Sequence, residues 1–242
     1  MNPTEFLDKG NIMEQPIVAT TPSRRSLYRV GGISAILLSV SYVIITVLYT
    51  LGGALPGEAE GWLRHLAAHT PEWWAILVLS VLTNLLFLPI LCAIYVSLKE
   101  TDKNRMLLGV GLVGLFVVLD LAVTWPNYAS LIALSGQYAA AVNGAAILAA
   151  ASYAVSVLSS TLFGVYAILI PALGILFIGH VMLKGKFGKV TGYLGIVTGV
   201  FGVISVAGPI LLPALGTAAV LTSVLTTAWV LFVGVKLLRL AG

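Results

Sequence analysis

The chain has 242 residues, 59% of them hydrophobic and 9% charged, with a mean hydropathy of +1.04 and a formal net charge of +4. Soluble domains carry roughly 45–50% apolar and 25% charged residues, so water is not the main solvent of this chain and one membrane domain is expected. The lone cysteine, Cys92, lies inside an apolar run, which excludes an internal disulfide and a metal site of several thiolates. The basic residues gather at the ends of apolar runs; membrane topology explains that pattern better than nucleic acid does.

In chain order, residues 1–28 read as a flexible cytoplasmic tail with little apolar periodicity, and 29–242 as the transmembrane domain. Ser23-Arg-Arg-Ser-Leu-Tyr-Arg29 superficially matches a twin-arginine export signal. The apolar run that follows is longer than the 7–15 residues of a signal peptide and lacks a small-residue cleavage site, so it reads as an uncleaved anchor. About 20 apolar residues cross a bilayer, and six such runs are present: Val30 to Leu51, Trp73 to Leu98, Met106 to Trp125, Ala154 to Leu183, Val190 to Ala207 and Thr217 to Leu238. Charged turns at 99–105 and 184–189 separate the second from the third and the fourth from the fifth.

Asn127 to Ser152 is apolar enough for a further crossing, but charge argues against it. An extra crossing would throw Lys184, Lys186 and Lys189 to the side opposite the other basic clusters, whereas cytoplasmic loops hold the excess of Lys and Arg. With six spans, twelve of the thirteen basic residues fall inside and only Arg64 outside. The expected architecture is therefore all-α, a bundle of six transmembrane helices with both termini cytoplasmic. Residues 127–152 form an external or re-entrant helix before the fourth span.

Helices in lipid associate through small residues and a few hydrogen bonds. Gly192, Gly195, Gly199 and Gly202 share one face of the fifth span, which predicts close packing against an internal helix or, alternatively, a membrane-protein partner or second copy. Ser152, Ser156 and Ser159 make a similar stripe. Pro89 and Pro171 should kink their helices, and Trp62, Trp73, Trp74, Trp125 and Tyr128 stand where an interfacial aromatic belt belongs.

Asp120 is the one acidic residue expected within the hydrocarbon, where a carboxylate costs several kcal/mol unless paired, hydrated or protonated. Two readings stand: a protonatable or cation-binding site facing a cavity, or a packing residue bonded to Asn84, Thr124 or a tyrosine. Tyr42, Thr46 and Tyr49 lie on one stripe of the first span; with Asn84 and Asp120 they compose a candidate outward-facing pocket for a small solute. His65 and His69 have the i, i+4 spacing that zinc helices use, but the intervening Glu of the metalloprotease motif is absent, and zinc needs three or four ligands. No phosphate loop, nucleophile elbow or haem motif is present, and no cofactor is implied.

His69-Thr-Pro-Glu-Trp-Trp before the second span, Gln137-Tyr-Ala-Ala-Ala before the fourth and Lys189-Val-Thr-Gly-Tyr-Leu-Gly-Ile-Val-Thr-Gly199 opening the fifth carry a resemblance over about Tyr28 to Ala207. In these pieces the chain resembles a family of bacterial and archaeal multi-pass proteins defined only as a domain of unknown function. The resemblance implies a prokaryotic cell-membrane location and brings no substrate. The expected role is non-enzymatic: binding or passing a small solute or proton near Asp120. The alternatives are a structural or regulatory subunit of a membrane complex and, third, a membrane-embedded metal enzyme using His65 and His69.

Overall fold

The computed structural model describes residues 22–140 and 144–242; the segment read as a tail lies outside them as far as residue 21. The described residues are helical with no strand, and six helices are long and apolar enough to cross a membrane. Helix α1 spans Pro22–Gly52, α3 Thr70–Leu98, α4 Lys103–Leu119, α8 Ile170–Met182, α9 Lys189–Ala207 and α10 Ala218–Ala241. The short α2 (Ala59–Ala68), α5 (Trp125–Ala139), α6 (Gly144–Leu158) and α7 (Thr161–Gly164) complete the order. Apolar side chains such as Val40, Val43, Val47, Val78, Leu107 and Val118 line the outside of the bundle, as lipid contact requires.

Glycines set the distances between helices. A Cβ on Gly32 would stand 2.7 Å from Leu238, one on Gly31 2.5 Å from Ala93, and one on Gly109 3.0 Å from the Gly174 carbonyl. The start of α1 therefore packs against the end of α10 and the second half of α3, and α4 lies against α8. The 192/195/199/202 stripe is buried within the chain: Gly192 meets Leu183, Gly195 meets Gly179 and Trp229, and Gly199 meets Leu176 and the Ala172 carbonyl. Arg24 reaches Glu100 at 3.8 Å. These contacts bring the beginning of α1, the α3–α4 turn, the α8–α9 loop and the end of α10 to one end of the bundle, hereafter the basic end. Among the described residues Arg64 is the one Lys or Arg at the opposite end.

Three elements differ from the sequence reading. Residues 22–28, read as the end of a tail, are the first turns of α1, and Tyr28 is buried there. The third span does not stop before Pro126: α4 passes through a π-turn at Asp120–Thr124 directly into α5, making one helical run from Lys103 to Ala139 of 37 residues. Proline lacks an N–H and crowds the carbonyl four residues before it, and the widened turn just ahead of Pro126 accommodates both. The fourth span is shorter than Ala154 to Leu183. It begins at Thr161, because the extended Ser160 ends the preceding stretch and its hydroxyl accepts the Phe163 N–H at 3.2 Å. Residues 154–158 thus belong to α6, where Ser152 and Ser156 donate to their own helix's carbonyls, and Ser159, just past its end, donates back to the Val155 carbonyl.

At 1.5 Å per residue the 37-residue run is about 55 Å long, well beyond a hydrocarbon core of about 30 Å. Its excess, α5, packs with α2 and α6 into a cap at the end remote from the basic clusters. Leu63, Leu66, Leu131, Ile132, Ile147 and Ala151 form its core, continuous with Ile45, Trp73 and Ile76 of α1 and α3. A second apolar cluster, including Leu38, Ile90, Ile94, Ile178, Val230 and Val233, holds the bundle toward the basic end.

Candidate functional site

Asp120 opens the π-turn and is 6% exposed. Its Oδ2 accepts the Asn84 amide and the Trp125 indole N–H, each at 2.7 Å. Asn84 sits on α3, where its amide also donates to the Ser80 carbonyl at 3.2 Å, while its own Oδ1 is buried without a hydrogen-bond partner. Both contacts use one carboxyl oxygen, which has the two acceptor sites that the Asn84 and Trp125 donors fill. The contact joins α3 to the π-turn and folds Trp125 back over the carboxylate.

A second π-turn lies opposite. Val165–Leu169 precedes Pro171 as Asp120–Thr124 precedes Pro126, and Thr124 Oγ1 and the Tyr166 hydroxyl are 3.1 Å apart. Two adjacent spans are thus widened at the same level and linked there by hydroxyls. Such bulges are frequent where helices serve a site.

Beside these turns is a cavity of about 340 Å³. Tyr42, Thr46 and Tyr49 of α1 line it, as their shared stripe predicted, together with Phe87, Phe116, Ala167, Pro171, Ile175 and, from α10, Thr222, Ser223, Thr226 and Thr227. Asp120 and Asn84 are not among its walls: Asp120 is one turn beyond Phe116 and Asn84 one turn before Phe87. Tyr42 connects the two regions, with Thr83 beside its hydroxyl and Asp120 within electrostatic range. The five sequence-designated residues therefore divide into three on the cavity wall and two in the node behind it.

The cavity's chemistry follows from where its hydroxyls already point. Thr46 donates to the Tyr42 carbonyl, Thr222 to Ala218, Ser223 to Ala219, Thr226 to Thr222 and Thr227 to Ser223. With those protons committed, the oxygens offer lone pairs to the cavity, and Pro171 supplies no N–H to the Ala167 carbonyl. Among the described residues no charged side chain lines the space. An anion would meet neither a cation nor a free threonine donor. An uncharged, largely apolar molecule carrying a hydroxyl or N–H fits both the volume and the polarity.

Periodicity did not reveal the α10 hydroxyls or Tyr166. The 222/226 and 223/227 pairs have the i, i+4 spacing of one helix face, a readable signal. Nothing in the sequence marks Tyr166. Trp125, read as an interfacial anchor, is Asp120's partner.

In the cap, the rings of Tyr49, Trp62, Trp73, Tyr128 and Trp125 form a chain of contacts, with Tyr49–Trp73 at 5.3 Å, Trp62–Trp73 at 5.5 Å and Trp73–Tyr128 at 5.6 Å. His65 packs on Trp62 and Trp73, and its ring lies 4.8 Å from that of His69, whose Nδ1 is 3.0 Å from the His65 carbonyl. Among the described residues no third His, Cys, Asp or Glu joins them as a metal ligand set. Burial, and secondarily the neighbouring His69, holds the His65 imidazole below its ordinary pKa. Glu60 takes hydrogen bonds from Arg64 at 2.6 Å and Tyr138 at 3.0 Å, which hold its carboxyl below the usual range and tie α2 to α5. No family model, curated protein or solved structure matches this chain.

Proposed function

We propose that this multi-pass membrane protein, of a prokaryotic cytoplasmic membrane and of the family its sequence resembles, binds or passes a small uncharged molecule through the hydroxyl-lined cavity between α1, α8 and α10. The role is non-enzymatic. One observation carries the reading: a cavity of about 340 Å³ whose walls hold seven hydroxyl side chains and no charge. Asp120 contributes from behind the wall, fixing the π-turn through Asn84 and Trp125 rather than touching the ligand.

Mass spectrometry of organic extracts from protein purified in nanodiscs tests this. An uncharged compound retained by wild type should fall at least tenfold in Ala167→Phe, which fills the space, and less in Tyr42→Phe. Identical extracts from wild type and Ala167→Phe would refute the proposal. The competing reading, a structural or regulatory subunit without its own ligand, draws on the exposed apolar turn at Ile210 and Leu211, each 84% exposed. It predicts unchanged extracts and a partner protein that is lost when both residues become serine.

A further inference from the structure

At the basic end, independently of the cavity just described, a groove of about 380 Å³ runs between the start of α9 and the end of α10. Phe187, fully buried, anchors the loop that enters it. Gly188, at φ +84°, turns the chain into α9, a backbone conformation that glycine adopts without strain. No side chain caps the first turn of α9, so that helix presents its partial positive charge to the groove. Lys189, Lys236 and Arg239 line the same space, with the Lys236 Nζ 4.0 Å from the position a Cβ on Gly188 would occupy.

Among the described residues no acidic side chain lines this groove, and none of its three cations forms an ion pair. Elsewhere at this end, Arg24 and Arg105 have carboxylates within 4 Å. Like charges gathered around a helix N-terminus repel unless an anion sits among them. Apart from the buried Thr191, whose hydroxyl donates to the Phe187 carbonyl, the groove's other walls are apolar, and three of them open outward: Val190 is 68%, Phe232 45% and Val235 38% exposed. A bound molecule therefore meets positive charge at one end and a hydrocarbon surface at the other.

We infer that this groove binds the phosphate of an anionic phospholipid headgroup, with Lys236, Arg239, Lys189 and the first-turn N–H groups of α9 around the phosphate and an acyl chain along Val190, Phe232 and Val235. Soluble inorganic phosphate shares the headgroup chemistry but not the chain, and the apolar wall favours the lipid.

The test is native mass spectrometry of the full-length protein in detergent, titrated with dioleoylphosphatidylglycerol and, separately, dioleoylphosphatidylcholine. The expected result is preferential phosphatidylglycerol adducts on wild type, weakened roughly tenfold or more by Lys236→Gln/Arg239→Gln. Lys184→Gln/Lys186→Gln removes the same charge outside the groove and should leave binding unchanged. Equal weakening by both double variants, or equal binding of the two lipids, would overturn the inference. Thermal protection by millimolar inorganic phosphate, lost in Lys236→Gln/Arg239→Gln and unaccompanied by a lipid adduct, would overturn the lipid as its source. Should the double variant fail to fold, Lys189→Gln alone reads out the same preference.

Discussion

The Asp120 carboxylate takes two N–H donors that otherwise have no water to turn to, so its removal is felt through what it leaves behind. Asp120→Ala leaves one N–H of the Asn84 amide and the Trp125 indole N–H unpaired and should cost about 2–4 kcal/mol. Asp120→Asn keeps an acceptor and should cost less than half of that. Thermal unfolding in detergent orders the variants, with Trp125 emission reporting the lost bond. Single methyl groups are as discriminating. Gly199→Ala would set its Cβ 2.5 Å from Leu176 and 2.7 Å from the Ala172 carbonyl, and overpacking of this kind costs about 1–3 kcal/mol. Gly111→Ala and Gly114→Ala meet nothing within 4 Å and should be neutral or stabilise by up to about 1 kcal/mol. The same unfolding measurement separates the two classes, and equal losses would refute the account of the α8–α9 contact.

At the scale of elements, the paired π-turns and the cap each make a distinct demand. Tyr166→Phe removes the link to Thr124 without changing volume, and faster amide exchange should then appear in both 120–126 and 165–171, though only one was altered. The cap responds to acid. His65 has a depressed folded-state pKa, so its contribution to stability is fully present above the unfolded value of about 6.5 and is lost as pH falls through the lower folded one. Glu60, also depressed, adds a contribution lost further down, below its unfolded value of about 4.3. Protection of the α2 amides, taken relative to their intrinsic base-catalysed exchange rates, should therefore fall on acidification below about pH 6.5, and His65→Gln should remove that first step while leaving the second. These features were only half legible in the sequence. The stripe of Tyr42, Thr46 and Tyr49 reads directly from 4, 3 spacing. The separation of Asp120 from the cavity does not, because it depends on a π-turn that rotates the carboxylate toward Asn84 and on Trp125 closing over it.

For the whole molecule, hydropathy was enough to count the helices long and apolar enough to cross a membrane, and the helix boundaries of α3, α9 and α10 lie close to the apolar runs. Where the reading slipped, at Pro126 and at Ala154, the cause was local. A proline was taken as a stop although a widened turn absorbs it, and the break at Ser160 is a single extended residue inside an apolar stretch. In a Cys92→Ala background, Lys186→Cys and Glu100→Cys should react with a membrane-impermeant maleimide from one side of sealed vesicles and Arg64→Cys from the other; labelling of all three from one face would refute the shared basic end. The long third rod has a mechanical corollary. From Asp120 to Ala139 is about 29 Å of unbroken helix. A swing of some ten degrees about the bulge would carry the far tip sideways by roughly 5 Å. A small rearrangement at the bulge is thereby magnified into a displacement large enough to be felt by whatever touches the cap.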